Sequence, residues 1–384
     1  MLKVNGGSAM DTSQITETGR RPRALWVDNL RVLVVAGVIV VHTATGYLTG
    51  IADWYYDERT TSELWSTLLA FPIVAGALFG LGPLFLLAGW FSPKSLERRS
   101  PAGYARSRLV RLGIPLLVFV LLIQPSADYI GSRPDVVQTS FFSALRTTEL
   151  SVMWFVAALL VFSLAYAAVR ALRPRAKAPA HRPIGQVLVA TALIIAAGSL
   201  AVWQVWPWNS EAVLAARLGE WAQGAVLFSL GVKAAESGWL EDLPPSLVRR
   251  VGGVALGGVV ATIALFAALE TQGRAEAVLN EATGWPTIPF ALLYGAASVS
   301  LTVWFVAWVK ARWPGHGPLI GRAARGSYAA YLVHPLVLTA IMVLFAPVAL
   351  IPEIKFVLVS IGGVSACFAV GYALTRVPGA SRVL

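Results

Sequence analysis

The chain has 384 residues, 57% of them hydrophobic and only 13% charged, with a formal charge of +11. A soluble domain carries roughly 25% charged residues, and the apolar residues here fall into long unbroken runs. This excludes an ordinary soluble fold and the rule of about one domain per 150 residues. The lone cysteine, Cys367, excludes an intramolecular disulfide and a cysteine-based metal site.

Residues 1–25 are polar and run through "RRPR". They lack the apolar core and small-residue cleavage site of a signal peptide, so a mobile cytoplasmic tail is expected. A bilayer core about 30 Å thick takes roughly 20 apolar residues per helix. Ten such runs follow: 30–51, 66–91, 112–130, 151–171, 184–206, 212–232, 251–270, 287–309, 326–347 and 355–375. They are continuously apolar rather than alternating, which argues for helices and against a barrel. The expectation is an all-α polytopic membrane protein with ten transmembrane helices, its membrane domain filling 26–377 before a short C-terminus at 378–384. Pro72 and Pro83 in the second run predict a kink or tilt.

Placing the N-terminus in the cytoplasm sorts the 31 basic residues. Only Arg59, Arg133, Arg146, Arg274 and Lys355 then fall on the opposite side, with Arg217 inside a run. The rest crowd the tails and the even-numbered connections, including the linker "RPRAKAPAHRP" at 173–183. That asymmetry predicts both termini inside and accounts for the basic excess without a nucleic-acid partner. Asp53, Trp54, Tyr55, Tyr56, Asp57 and Glu58, then Trp203, Trp206 and Trp208, read as an acidic and aromatic outer belt.

His42 lies eleven residues after Arg31, about 16 Å along a helix, which puts it near mid-bilayer if Arg31 marks the inner face. An ionisable side chain within a span is a functional candidate by default. His334, in "SYAAYLVHPLVL", is expected at comparable depth. It has two readings: partner of His42 in a shared polar cavity, or a satisfier of the backbone carbonyl freed by Pro335. Arg106, Arg108 and Arg111, in "RSRLVRLGIP", suit phosphate or anchor a span end among headgroups. Arg217 and Glu220 either line an outer cavity or neutralise each other at its rim. No metal site is expected, since neither histidine has the carboxylate pattern of one. The small residues of "FGLGPLFLLAGW" read as close helix packing rather than a phosphate loop.

These pieces together resemble acyltransferase family 3, whose members are integral membrane O-acyltransferases. Arg31 and His42 reproduce its Arg-x10-His signature, and "VDNLRVL" its opening. Residues 84–119, with Arg108 and Arg111 as an Arg-x-x-Arg, are similar to its second block. "MWFVAALLVFSLAY", 153–166, and "SYAAYLVHPLVL" are similar to two later blocks. The resemblance runs from about 24 to 376. Many members have Ser-Gly where this chain has Ala88 and Gly89, and some have Gly-His-Leu where it has Ser151, Val152 and Met153, so roles of those side chains do not carry over. The resemblance implies a stand-alone enzyme without a C-terminal esterase-like domain. It implies transfer of a short acyl group, acetyl by default, from cytoplasmic acyl-CoA to a hydroxyl of a glycan, lipid or secondary metabolite, in the cytoplasmic membrane. His42 would be the general base or would carry the acyl group, Glu220 is a candidate orienting partner, and Arg31, Arg106, Arg108 and Arg111 would meet the CoA phosphates. The rival is a proton-coupled transporter or flippase with His42 and His334 as the relay.

Overall fold

The computed structural model describes residues 24–48, 54–58, 60, 62–79, 81–134, 139–173, 183–208, 210, 212–282, 284–380 and 383. Lys3, Arg20, Arg21 and Arg23 of the tail, Asp53, Arg59, Arg382 and most of the linker lie outside them. The described elements are helical, and nine helical stretches are long and apolar enough to cross a membrane. This is an all-α polytopic membrane protein.

Eleven helices carry the architecture: α1 Leu25–Tyr47, α2 Glu63–Phe79, α3 Gly82–Glu97, α4 Ser100–Gly131, α5 Trp154–Leu172, α6 Ile184–Trp203, α7 Trp221–Ser237, α8 Pro245–Glu270, α9 Thr287–Arg312, α10 Pro318–Phe345 and α11 Pro352–Leu374. They follow the ten expected runs, with α2 and α3 sharing the second. The sixth expected span, α7, has 17 residues and falls short of the other nine in length. Its run begins at 212, but Val213, Leu214, Ala215 and Arg217 have positive φ, a backbone that right-handed helix excludes. The regular helix therefore starts only after the 3₁₀ turn Leu218–Glu220.

The second run breaks rather than bends. Pro83, with no N–H to give, stands at the start of α3; α2 ends at Phe79, so its last carbonyls, Leu78 among them, need partners from outside the helix. An unpaired carbonyl in hydrocarbon costs several kcal/mol, on the order of the handicap that confines spanning segments to helices and barrels. Neighbouring helices supply the missing donors: Gln223 Nε2 of α7 donates to Leu78 O at 3.1 Å and Ser298 Oγ of α9 at 3.0 Å. Gln223 Nε2 also donates to Ser298 Oγ at 2.6 Å. Three buried polar groups thus hold the break inside the bundle.

Small residues set the helix spacing, as the sequence led one to expect for the second run. A Cβ on Gly89 of α3 would lie 1.9 Å from Phe228 O of α7, and one on Gly231 would lie 2.0 Å from Leu86 O. Backbones that close leave no room for any side chain between them. Helix α10 is the other hub: it packs on α11, α1 and the last turns of α4. The two histidine-bearing helices, α1 and α10, are therefore direct neighbours.

Candidate active site

His42 lies on α1 and His334 on α10, and their rings stack with centroids 5.2 Å apart and planes 27° apart. The indole of Trp54 stacks on His42 at 4.6 Å and lies 6.2 Å from His334. Those three separations form a compact triangle, too tight for a three-layer sandwich. His334 is fully buried; His42 is half-buried.

A carbonyl only accepts, so the contact from His334 Nδ1 to Tyr331 O, 2.5 Å, fixes the tautomer. Nδ1 carries the proton, and Nε2 holds a free lone pair. That Nε2 atom is buried with no hydrogen-bond partner, and so is Trp54 Nε1. Of the two readings of His334, the local one holds for Nδ1, which does satisfy backbone. The other ring nitrogen remains for chemistry.

Three connections meet around this triangle. Tyr331 OH donates to Val152 O. Tyr55 OH donates to Ser151 Oγ at 3.0 Å, and Leu150 N donates to Leu214 O at 2.8 Å. The turn Leu150–Met153 thus joins the Tyr331 turn, the Trp54 segment and the stretch leading to Arg217. Arg217 Nε donates to Glu220 Oε1 at 3.0 Å, and Glu220 is buried. The guanidinium of Arg217 also lies over the Trp208 ring, 5.5 Å from its centroid. Glu220 is engaged with Arg217 rather than with His42, and the bond that orients His334 is donated by its own Nδ1 to the Tyr331 carbonyl.

Arg31 is not brought to the histidines, because both it and His42 sit on the same straight helix, about 16 Å apart along it. It ion-pairs with Asp28, which His316 Nε2 also approaches at 3.4 Å. Beside them Asn29 Nδ2 donates to Trp313 O at 2.8 Å and to Gly315 O at 3.0 Å. The Arg31 end of α1 is thereby tied to the connection that leads into α10. His316 escaped sequence reasoning because its Pro/Gly-rich loop "WPGHGP" has no periodicity that assigns it a neighbour.

The arginine cluster sits on α4, not on a loop before it. Arg108 precedes a π turn, Leu109–Gly113, and Arg111 lies inside it, so the i, i+3 alignment expected of a regular helix is altered. Arg108 lies over the ring of Tyr104, 4.9 Å from the centroid, and Tyr104 is buried with its hydroxyl 2.7 Å from Ser92 Oγ. Arg106 and Arg111 are exposed. Cavities of about 440 and 420 Å³ flank α6 instead: one between α6 and α7, the other among α6, α8 and α9. Neither touches the histidines. No group of three or more His, Cys, Asp or Glu among the described residues is placed to hold a metal ion.

A bundle of membrane-crossing helices around two stacked imidazoles, one buried and one half-buried, defines a polytopic membrane protein with acid–base groups in its interior. The chain belongs to acyltransferase family 3: the family's sequence profile, described as an acyltransferase domain, matches residues 24–376. It is a membrane-embedded O-acyltransferase. No curated protein and no solved structure matches the chain.

Proposed function

We propose that the protein moves a short acyl group, acetyl by default, from acyl-CoA at the cytoplasmic side of the inner membrane to a hydroxyl of a glycan or related envelope or secondary-metabolite acceptor. The observation that carries the reading is the His42–His334 pair at the centre of an acyltransferase domain. His42 takes the proton of the acceptor hydroxyl. The acceptor oxygen bonds to the thioester carbonyl carbon, the C–S bond breaks, and the CoA thiolate takes the proton back from His42. In the alternative covalent route a His42 ring nitrogen bonds to the thioester carbonyl carbon as the C–S bond breaks and CoA leaves, and the acceptor oxygen then bonds to that carbon as the N–C bond breaks. His334 Nε2, an acceptor only, receives the hydrogen bond of an incoming hydroxyl or amide. Electrostatic steering of the donor falls to Arg106, Arg108 and Arg111, with Arg31 at the base of α1. Arg217 and Glu220 form a charged pair on the acceptor side.

The rival relay is disfavoured by the stacking itself. Rings that face each other at 27° do not form the in-plane N–H···N bond along which a proton would pass.

Incubating purified protein in proteoliposomes with labelled acetyl-CoA and extracted envelope glycans or metabolites tests the reading by mass spectrometry. An acyl mass gain that depends on the thioester is the expected result. Substrate uptake with no thioester present would point to the transporter instead. In the same assay, Arg108→Ala and Arg111→Ala are expected to raise the acyl-CoA KM about 10-fold each, the worth of one charge-assisted phosphate contact, with kcat little changed. An unmoved KM would leave these arginines as headgroup anchors.

A further inference from the structure

Trp54 reads in the sequence as one more member of an aromatic belt, yet its indole faces His42 rather than headgroups. The segment that carries it is fastened at several points. Glu58 N donates to Gly46 O at 2.8 Å and Thr60 N to Tyr47 O at 3.0 Å, tying the segment back to the end of α1. Lys355 Nζ, from α11, donates to Glu58 Oε1 at 2.6 Å and to Ala346 O at 3.1 Å. Thr60 Oγ1 donates to Glu353 Oε1 at 2.5 Å. Tyr55 is pressed onto α4 where a Cβ on Gly131 would lie 1.9 Å from its carbonyl oxygen. Lys355 is only 2% exposed. An ammonium buried that deeply persists only where its partners stay put, so the segment is a fixed mount.

What the mount holds is an aromatic face against a base. A histidine that accepts a proton becomes a cation and needs a counter-charge. No carboxylate among the described residues hydrogen-bonds to His42. The ring it stacks on at 4.6 Å is an indole, whose face is negative and attracts a cation within about 6 Å of its centroid. We propose that Trp54 stabilises the imidazolium formed at His42 during acyl transfer, and that Glu58, Thr60 and Lys355 are positioning residues that seat the indole for this. The proposal rests on the reading of His42 as the base. The cation exists only between proton uptake from the acceptor and proton return to the CoA thiolate. Trp54 therefore acts on kcat, not on donor binding.

Site-specific replacement of Trp54 by tryptophans bearing one to four fluorines tests this, because fluorine drains the ring face while nearly preserving its shape. The expected result is a stepwise fall in kcat totalling about 2- to 30-fold across the series, the range of a cation–π contact, with the acyl-CoA KM unchanged. A flat series overturns the proposal. Lys355→Met is expected to remove the fluorine dependence, and Lys355→Arg to restore it; a full dependence in Lys355→Met would overturn the positioning role. Should Lys355→Met not accumulate, Thr60→Val serves the same comparison. His42→Gln separates the two readings: activity surviving in that variant refutes His42 as the base, whereas a flat series with His42→Gln inactive refutes only the role of Trp54.

Discussion

His42→Ala is expected to lower acyl transfer by at least about 100-fold, the lower end of what a positioned general base contributes, while the protein still inserts and folds. Alanine keeps the helix, being its best former, and the ring it removes is half-buried, so the fold loses two stacking contacts and little else. Transfer of label from acetyl-CoA to acceptor, set beside the monodisperse fraction in detergent, separates lost chemistry from lost protein. A variant that is well folded and fully active would end the assignment of His42. His334→Ala serves as its companion. It empties the position beside His42 and releases the Tyr331 carbonyl, so its loss of activity comes with some loss of stability.

Much of this was legible in the sequence for a simple reason. In a bilayer, length and apolarity decide what spans, so the helices could be read from composition alone. The rise of 1.5 Å per residue then turned the spacing of Arg31 and His42 into a depth, and a similar count gave His334 a comparable one; that the two rings stack was not in the count. What was not legible lies wherever position is fixed by contacts remote in sequence. Trp54 reaches His42 because Glu58 and Thr60 are tied to α11, nearly 300 residues on, and no local pattern encodes that. Asp28, three residues before Arg31, pairs with it locally, but it also meets His316 across the whole domain. The spacing of Arg108 and Arg111 is a different case: Arg111 lies inside a π turn, which changes the face that counting by regular turns assigns. The start of α7 failed for lack of any helix-breaking residue in "AVLAAR", whose positive-φ backbone is imposed from outside, in part by the bond from Leu150 N to Leu214 O.

The second large effect belongs to the seam between α3 and α7. Gly89→Ala is expected to destabilise the protein by about 4 kcal/mol or more, the range reserved for changes the structure cannot absorb, and so to abolish accumulation of folded protein. The reason is what the new methyl would strike. At Gly89 it is the Phe228 carbonyl oxygen, 1.9 Å away, which is backbone and moves only if two helices separate. Parting them would also pull Gln223 from the Leu78 carbonyl and shift the Arg217–Glu220 turn that opens onto α7. Gly224 offers the control, since a methyl there meets the Phe85 ring at 2.8 Å, a side chain that can be trimmed. Phe85→Leu is therefore expected to rescue Gly224→Ala in part, while Phe228→Ala leaves Gly89→Ala as unstable as before. Thermal midpoints of the four variants in detergent, followed by size exclusion, decide it. Rescue of Gly89→Ala by Phe228→Ala would mean that the clash is with a side chain and that the two backbones do not meet as described.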